Sequence, residues 1–90
     1  MRIDFTKKFS KQLLKAPWKV QNAFKYRFDV FLSNHTHPLL RNHVLTGEYI
    51  GCRSISITGD WRAIYNDMNS MEEKKCILFI ALGTHSQLYR

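Results

Sequence analysis

Long apolar runs are missing from this chain of 90 residues. The longest, Cys76 to Leu82, is seven residues, far short of a membrane span. Cysteine is scarce as well: Cys52 and Cys76 alone cannot make a disulfide scaffold. The N-terminus carries Arg2, Asp4, Lys7 and Lys8 instead of an apolar core segment, so no secretory signal is expected there. A cytoplasmic location with reduced thiols is the expectation that follows. No repeat, low-complexity tract or linker interrupts the chain, and no Walker loop, GxGxxG run, zinc signature or nucleophile elbow occurs. His35 and His37 are too close to share one helical face and have no cysteine pair nearby, so no metal site is expected.

Acidic residues are also few, seven against 14 Lys and Arg, which gives a net charge of +7. The excess is lopsided. Residues 1–41 hold nine basic and two acidic residues, a net +7, whereas residues 42–90 hold five of each. A basic surface of this kind points to a polyanion or an acidic partner, through steering and counterion release; the plainer reading is a solvated face. Hydrophobic residues at 44% and aromatics at 13% are enough for a folded core. A chain of this size buries about 60% of its unfolded surface, so a single domain over residues 1–90 is expected.

The pattern changes once along the chain. Residues 2–5 alternate as a short strand, and Thr6 suits a helix N-cap. Phe9, Leu13 and Leu14 form the apolar stripe of a first helix, with Lys7, Lys8, Lys11 and Lys15 on its other faces. Pro17 ends that helix and fits the first turn of the next. From Trp18 to about Phe31, Val20, Phe24, Phe28 and Phe31 recur at helical spacing, and Ser33 to Asn42 reads as a loop. Period two then takes over. Gly51 to Thr58 reads as a strand with Arg53, Ile55 and Ile57 on one face, Gly59-Asp60 as a turn, and Trp61 to Asn66 as the next strand. Asp67 to Glu73 reads as a polar connection, Lys75 to Leu82 as a central strand, and the residues after Gly83 as a tail. The order of a strand, a two-helix hairpin and then three or four antiparallel strands is an α+β fold with helices on one face.

The candidate chemistry lies in the second half. His43 precedes its first strand, Asp60 and Arg62 flank Trp61, and His85 and Tyr89 follow Gly83. If the neighbouring strands pair, these groups converge on the sheet face away from the helices. Metal-free RNA cleavage needs such a set: a base for the ribose 2′-hydroxyl, a cation for the charged transition state and an acid for the leaving 5′-oxygen. Histidine can serve either proton transfer, arginine offers a fork to phosphate oxygens, and an aromatic can stack a base.

Leu45-Thr46-Gly47, Gly51-Cys52-Arg53, Gly59-Asp60-Trp61-Arg62-Ala63-Ile64-Tyr65 and Gly83-Thr84-His85-Ser86-Gln87-Leu88-Tyr89 together resemble the RelE/ParE toxin superfamily, nearest its RelE/StbE and YafQ-like branch. The resemblance implies a RelE-like fold and a small basic toxin that cleaves mRNA in the ribosomal A site. It also implies a cognate antitoxin, contact with rRNA, and no metal or organic cofactor. It makes His85 a candidate acid or base, Asp60 the counterpart of a catalytic aspartate, and His43 that of a histidine before Leu-x-Gly. Arg62 matches the phosphate-stabilising arginine of RelE proper. Tyr89 takes the place of an aromatic that stacks on RNA or assists proton transfer. Ser56 and Ala81 depart from the pattern, standing where YafQ-like toxins have a histidine and an arginine, and Arg62 is the candidate to replace the missing charge.

The basic helix residues Lys7, Lys8, Lys11 and Lys15 are the expected RNA-binding groups. Arg53 would either bind RNA or pair with Glu48. Plainer roles stand beside these: Asp60 as a turn residue, Tyr89 as a core anchor, Trp61 and Tyr65 as core, His35 and His37 as loop surface. ParE-type members of the superfamily poison DNA gyrase without a catalytic histidine, and a gyrase inhibitor or a plain RNA-binding domain are the rival functions.

Overall fold

The computed structural model describes residues 2–69 and 75–89. Alternation in Arg-Ile-Asp-Phe builds β1 (Arg2–Phe5). Thr6 then caps α1 (Lys7–Lys15), its side chain accepting the Phe9 N–H at 3.0 Å. Phe9 is the buried residue of α1 and Leu13 is half-buried. Leu14 is 78% exposed, so the expected stripe is one residue narrower than its hydrophobicity suggests. Pro17 sits one step earlier than expected, at the N-cap of α2 (Trp18–Ser33), where its carbonyl accepts the N–H groups of Val20 and Gln21. Val20, Phe24 and Phe31 are the buried positions of α2.

The loop that follows contains a 3-10 turn at Pro38–Leu40 and leads into a two-residue strand, β2 (His43–Val44). Three longer strands complete the sheet: β3 (Cys52–Thr58), β4 (Trp61–Asn69) and β5 (Lys75–Thr84). The expected polar connection begins later than Asp67, since β4 runs to Asn69; residues 70–74 of that connection lie outside the described residues. The sheet order is β1-β5-β4-β3-β2, with β1 parallel to β5 and the other pairs antiparallel. Four strands follow the helices, within the expected three or four, and β1 makes the fifth of the sheet. The N-terminal strand joins the rest, which a crossover through α1 and α2 permits.

Both helices cover one face, α1 against β5 and α2 against β3. At the centre of that layer Phe79 is fully buried, with the rings of Phe5, Phe9, Phe24, Phe28, Phe31 and Tyr65 at centroid distances of 5.5–5.9 Å. Each such aromatic pair adds about 0.5–1.5 kcal/mol beyond its buried area. Gln12 fastens α1 to β5 by accepting the Leu82 N–H at 2.8 Å. On the opposite face a smaller cluster of Cys52, Ile64, Ala81 and Leu88 is buried. A register shift between Ile64 and Tyr65, paired with Ala81 and Phe79, puts Ile80 and Ala81 together on that face.

The residues after Gly83 are more ordered than a tail. His85–Leu88 form a short helix, α3, closed by a capping box in which Thr84 and Gln87 exchange side-chain and backbone bonds. Gly83 admits this fold-back, because a Cβ there would stand 3.0 Å from the Gln87 Oε1.

Candidate active site

The face away from the helices gathers the polar groups. β2 pairs with β3 so that His43 lies opposite Ser54, and Arg62 on β4 has Ser56 and Gly83 as its cross-strand neighbours. α3 brings His85 and Tyr89 to the same edge, since residues four apart in a helical turn stand one above the other. His43, Leu45, Thr46, Arg62, His85 and Tyr89, with Val44, line a cleft of about 340 Å³.

Arg62 is held from behind. Its Nε donates to Ser54 Oγ, and its Nη2 donates to the carbonyls of Arg41 at 3.2 Å and Ser54 at 3.4 Å. Ser54 is fully buried, so its hydroxyl is a fixed anchor and not a reacting group. Among the described residues Arg62 Nη1 has no acceptor, which leaves part of the guanidinium fork for a ligand in the cleft. His43 Nδ1 lies 2.9 Å from the Arg41 carbonyl and 3.3 Å from Arg62 Nη2. A carbonyl requires Nδ1 to donate, and that shorter contact assigns the proton to Nδ1 and leaves Nε2 as the basic nitrogen. His85 is exposed, its N–H donating to the Asp60 carbonyl at 3.0 Å and its ring 4.8 Å from that of Tyr89. Tyr89 packs edge-on to Tyr49 at 6.2 Å. Its hydroxyl is buried and without a hydrogen-bond partner among the described residues.

Four of the five catalytic candidates thus share one cleft. The fifth, Asp60, does not line it: its side chain is exposed at the turn, and its carbonyl tethers the first residue of α3. Arg53 is elsewhere too. Its Nε donates to Asn42 Oδ1 at 2.7 Å, and Asn42 in turn donates to the Tyr65 hydroxyl at 2.7 Å and the His35 carbonyl at 2.8 Å. This network braces the loop before β2, and among the described residues Arg53 makes no ion pair with Glu48. Lys7, Lys8, Lys11 and Lys15 are all exposed on α1. Lys8 and Lys15 line a different cleft, of about 380 Å³, on the other side of α3.

Sequence reasoning missed Ser54, Arg41 and Tyr49. The first two act through burial and a backbone carbonyl, for which the sequence has no sign. Burial, with the Glu48 carboxylate second, raises the Tyr49 phenol above its ordinary range. Burial also raises the Cys52 thiol, which keeps it protonated and unreactive.

Comparison with known proteins identifies the family and the fold. The family described as the bacterial toxin YafQ of type II toxin–antitoxin systems matches residues 1–90. The crystal structure of YafQ from E. coli strain BL21(DE3) is similar over 100% of both chains, at 27% identity and a TM-score of 0.74. The toxin in the E. coli DinJ-YafQ complex is 28% identical over 100% of both chains, with a TM-score of 0.72. A YoeB/ParE toxin from Agrobacterium tumefaciens shares the fold at 16% identity and a TM-score of 0.74, over 94% of this chain and 99% of that one. No curated protein sequence matches significantly. With a family match along its entire length, the chain belongs to the YafQ family of type II toxin–antitoxin toxins.

Proposed function

We propose that the protein is a metal-independent endoribonuclease that cuts mRNA in the ribosomal A site, in the cytoplasm, and is restrained by a cognate antitoxin. The observation that carries this reading is the convergence of two imidazoles and one anchored guanidinium on a single open cleft. His43 Nε2 takes the proton of the ribose 2′-hydroxyl, whose oxygen attacks the adjacent phosphorus. The free edge of the Arg62 fork neutralises charge on the pentacoordinate phosphate. His85 protonates the departing 5′-oxygen, so the products are a 2′,3′-cyclic phosphate and a 5′-hydroxyl. Tyr89 contributes its ring as a stacking surface, because its buried hydroxyl has no route to the reacting atoms. Asp60 acts through its carbonyl, as the tether of α3.

The antitoxin follows from kinship with the YafQ of the DinJ-YafQ complex. A domain of net charge +7 also suits an acidic segment that covers its basic surface. Primer extension on a defined mRNA, with and without translating ribosomes, tests the reading. Wild type is expected to cut within the A-site codon only with ribosomes, and His85→Ala to lose about 10²–10⁴-fold. Undiminished cutting by that variant would remove His85 from the mechanism. Growth arrest without any cutting would point to gyrase instead, a reading that Ala81 favours: it is buried in the small cluster where YafQ-like toxins carry a cation.

A further inference from the structure

Beside the active-site cleft, across the backbone of Arg41, lies a second opening of about 590 Å³ whose lining includes Arg27, His37, Arg41 and Ser56 and no carboxylate. Arg27, half-buried on α2, donates from Nη1 to the carbonyls of Leu39 and Ser56, the latter at 3.1 Å. Those bonds fix the guanidinium plane, and Nε and Nη2 have no acceptor among the described residues. His37 Nδ1 accepts the Leu39 N–H at 3.1 Å, so the neutral ring carries its proton on Nε2 and can donate there. Arg41 has φ 45° and ψ 47°, a left-handed conformation strained for any residue but glycine, asparagine or aspartate. That turn aims its carbonyl at Arg62 and His43 while its side chain lines the second opening. Arg41 makes no ion pair among the described residues.

The lining therefore offers three groups that donate hydrogen bonds, two of them permanently charged, and no competing carboxylate. An anion with several oxygens, such as a phosphodiester, matches that set. Position says which one. Ser56, at the edge of the opening, is the cross-strand partner of Arg62, so the opening starts one strand away from the catalytic guanidinium. We propose that it is a second phosphate subsite, which grips a phosphodiester of the RNA strand outside the scissile linkage. It rests on the ribonuclease reading only for the identity of the strand.

Binding of non-cleavable 2′-O-methyl RNA to the intact protein, titrated from 50 to 200 mM salt, separates the two ideas. Arg41→Asn keeps a residue that tolerates the left-handed turn, and Arg27→Gln removes the other cation. Each is expected to weaken a hexanucleotide roughly tenfold, as for one charge-assisted bond. Each should also reduce the slope of log K against log[salt] by about 0.7. A dinucleotide, long enough for the catalytic cleft alone, should bind both variants as it binds wild type. Unchanged hexanucleotide affinity and slope in Arg41→Asn would overturn the subsite, whatever Arg27→Gln does. Equal losses on the dinucleotide, or no hexanucleotide binding by wild type at 50 mM salt, would overturn it too. Arg41-dependent hexanucleotide binding by a protein that cuts no mRNA would keep the subsite and discard the nuclease reading. Normal cutting with Arg41-independent binding would do the reverse.

Discussion

On the helix side of the sheet, Phe79 is enclosed by six aromatic rings contributed by β1, α1, α2 and β4. On the other side, four buried residues, Cys52, Ile64, Ala81 and Leu88, support a rim of His43, Arg62, His85 and Tyr89 that stays open to water. The first face needs only large apolar groups that fill space, and several aromatic arrangements would satisfy it. The second depends on single atoms: the Ser54 hydroxyl behind Arg62, and the Arg41 carbonyl that orients both Arg62 and His43. Cohesion and the candidate site are thus divided between the faces of one sheet, with β4 and β5 contributing to both.

If that division holds, substitutions on the two faces should have effects of different kinds. The largest is expected for Phe79→Ala, a loss of about 3–5 kcal/mol from a domain whose whole stability is about 5–15 kcal/mol, read from the urea midpoint. A loss under about 1 kcal/mol would break the comparison at its core. Arg62→Ala should slow mRNA cleavage about 10²–10³-fold while the urea midpoint moves little, and Arg62→Lys should fail to restore it because a single ammonium lacks the fork. Unfolding of Arg62→Ala would mean that the open face is structural after all. Thr84→Ala crosses the divide. Losing the α3 cap should cost about 1 kcal/mol and loosen His85 and Tyr89 together, so denaturation and cleavage should both register it.

Tyr89→Phe removes a buried hydroxyl that has no partner among the described residues. Stability should rise by about 1 kcal/mol with cleavage retained, and a large fall in cleavage would return the hydroxyl to the mechanism. The smallest effect concerns the helix side at high pH. Burial raises the Tyr65 phenol above its usual range, so the fold favours its neutral form. That contribution is complete below the unfolded-state value and is lost as pH rises through the folded one. Urea midpoints should decline above about pH 10, and less steeply in Tyr65→Phe.

Much of the helix face was legible because hydrophobic periodicity specifies it: Phe24, Phe28 and Phe31 on one helix, Ile55 and Ile57 on one strand. Leu14 misled because spacing alone cannot say where a helix surface runs out of neighbours. The motif residues of the open face were legible as a set, whereas their supports were not. Ser54 looks like any small strand residue until burial and Arg62 give it a role. Arg41 acts through its carbonyl, which every residue has. The α3 turn did leave a sign, since Thr84-His85-Ser86-Gln87 is a capping-box sequence. The parallel pairing of β1 with β5 left none, because it depends on contacts more than seventy residues apart.

That pairing also bears on how the molecule comes into being. A nascent chain emerges from its N-terminus, and β1 is made early, yet among the described residues its only partner strand is β5. Until residues 75–84 arrive, β1 has no ladder, α1 lacks the strand it rests on, and Phe79 is missing from the middle of its ring of aromatics. Closure over such a sequence distance is slow compared with local helix formation. His85 and Tyr89 come later still, just beyond β5. Assembly of the helix face therefore waits on β5, the last strand of the sheet to be synthesised.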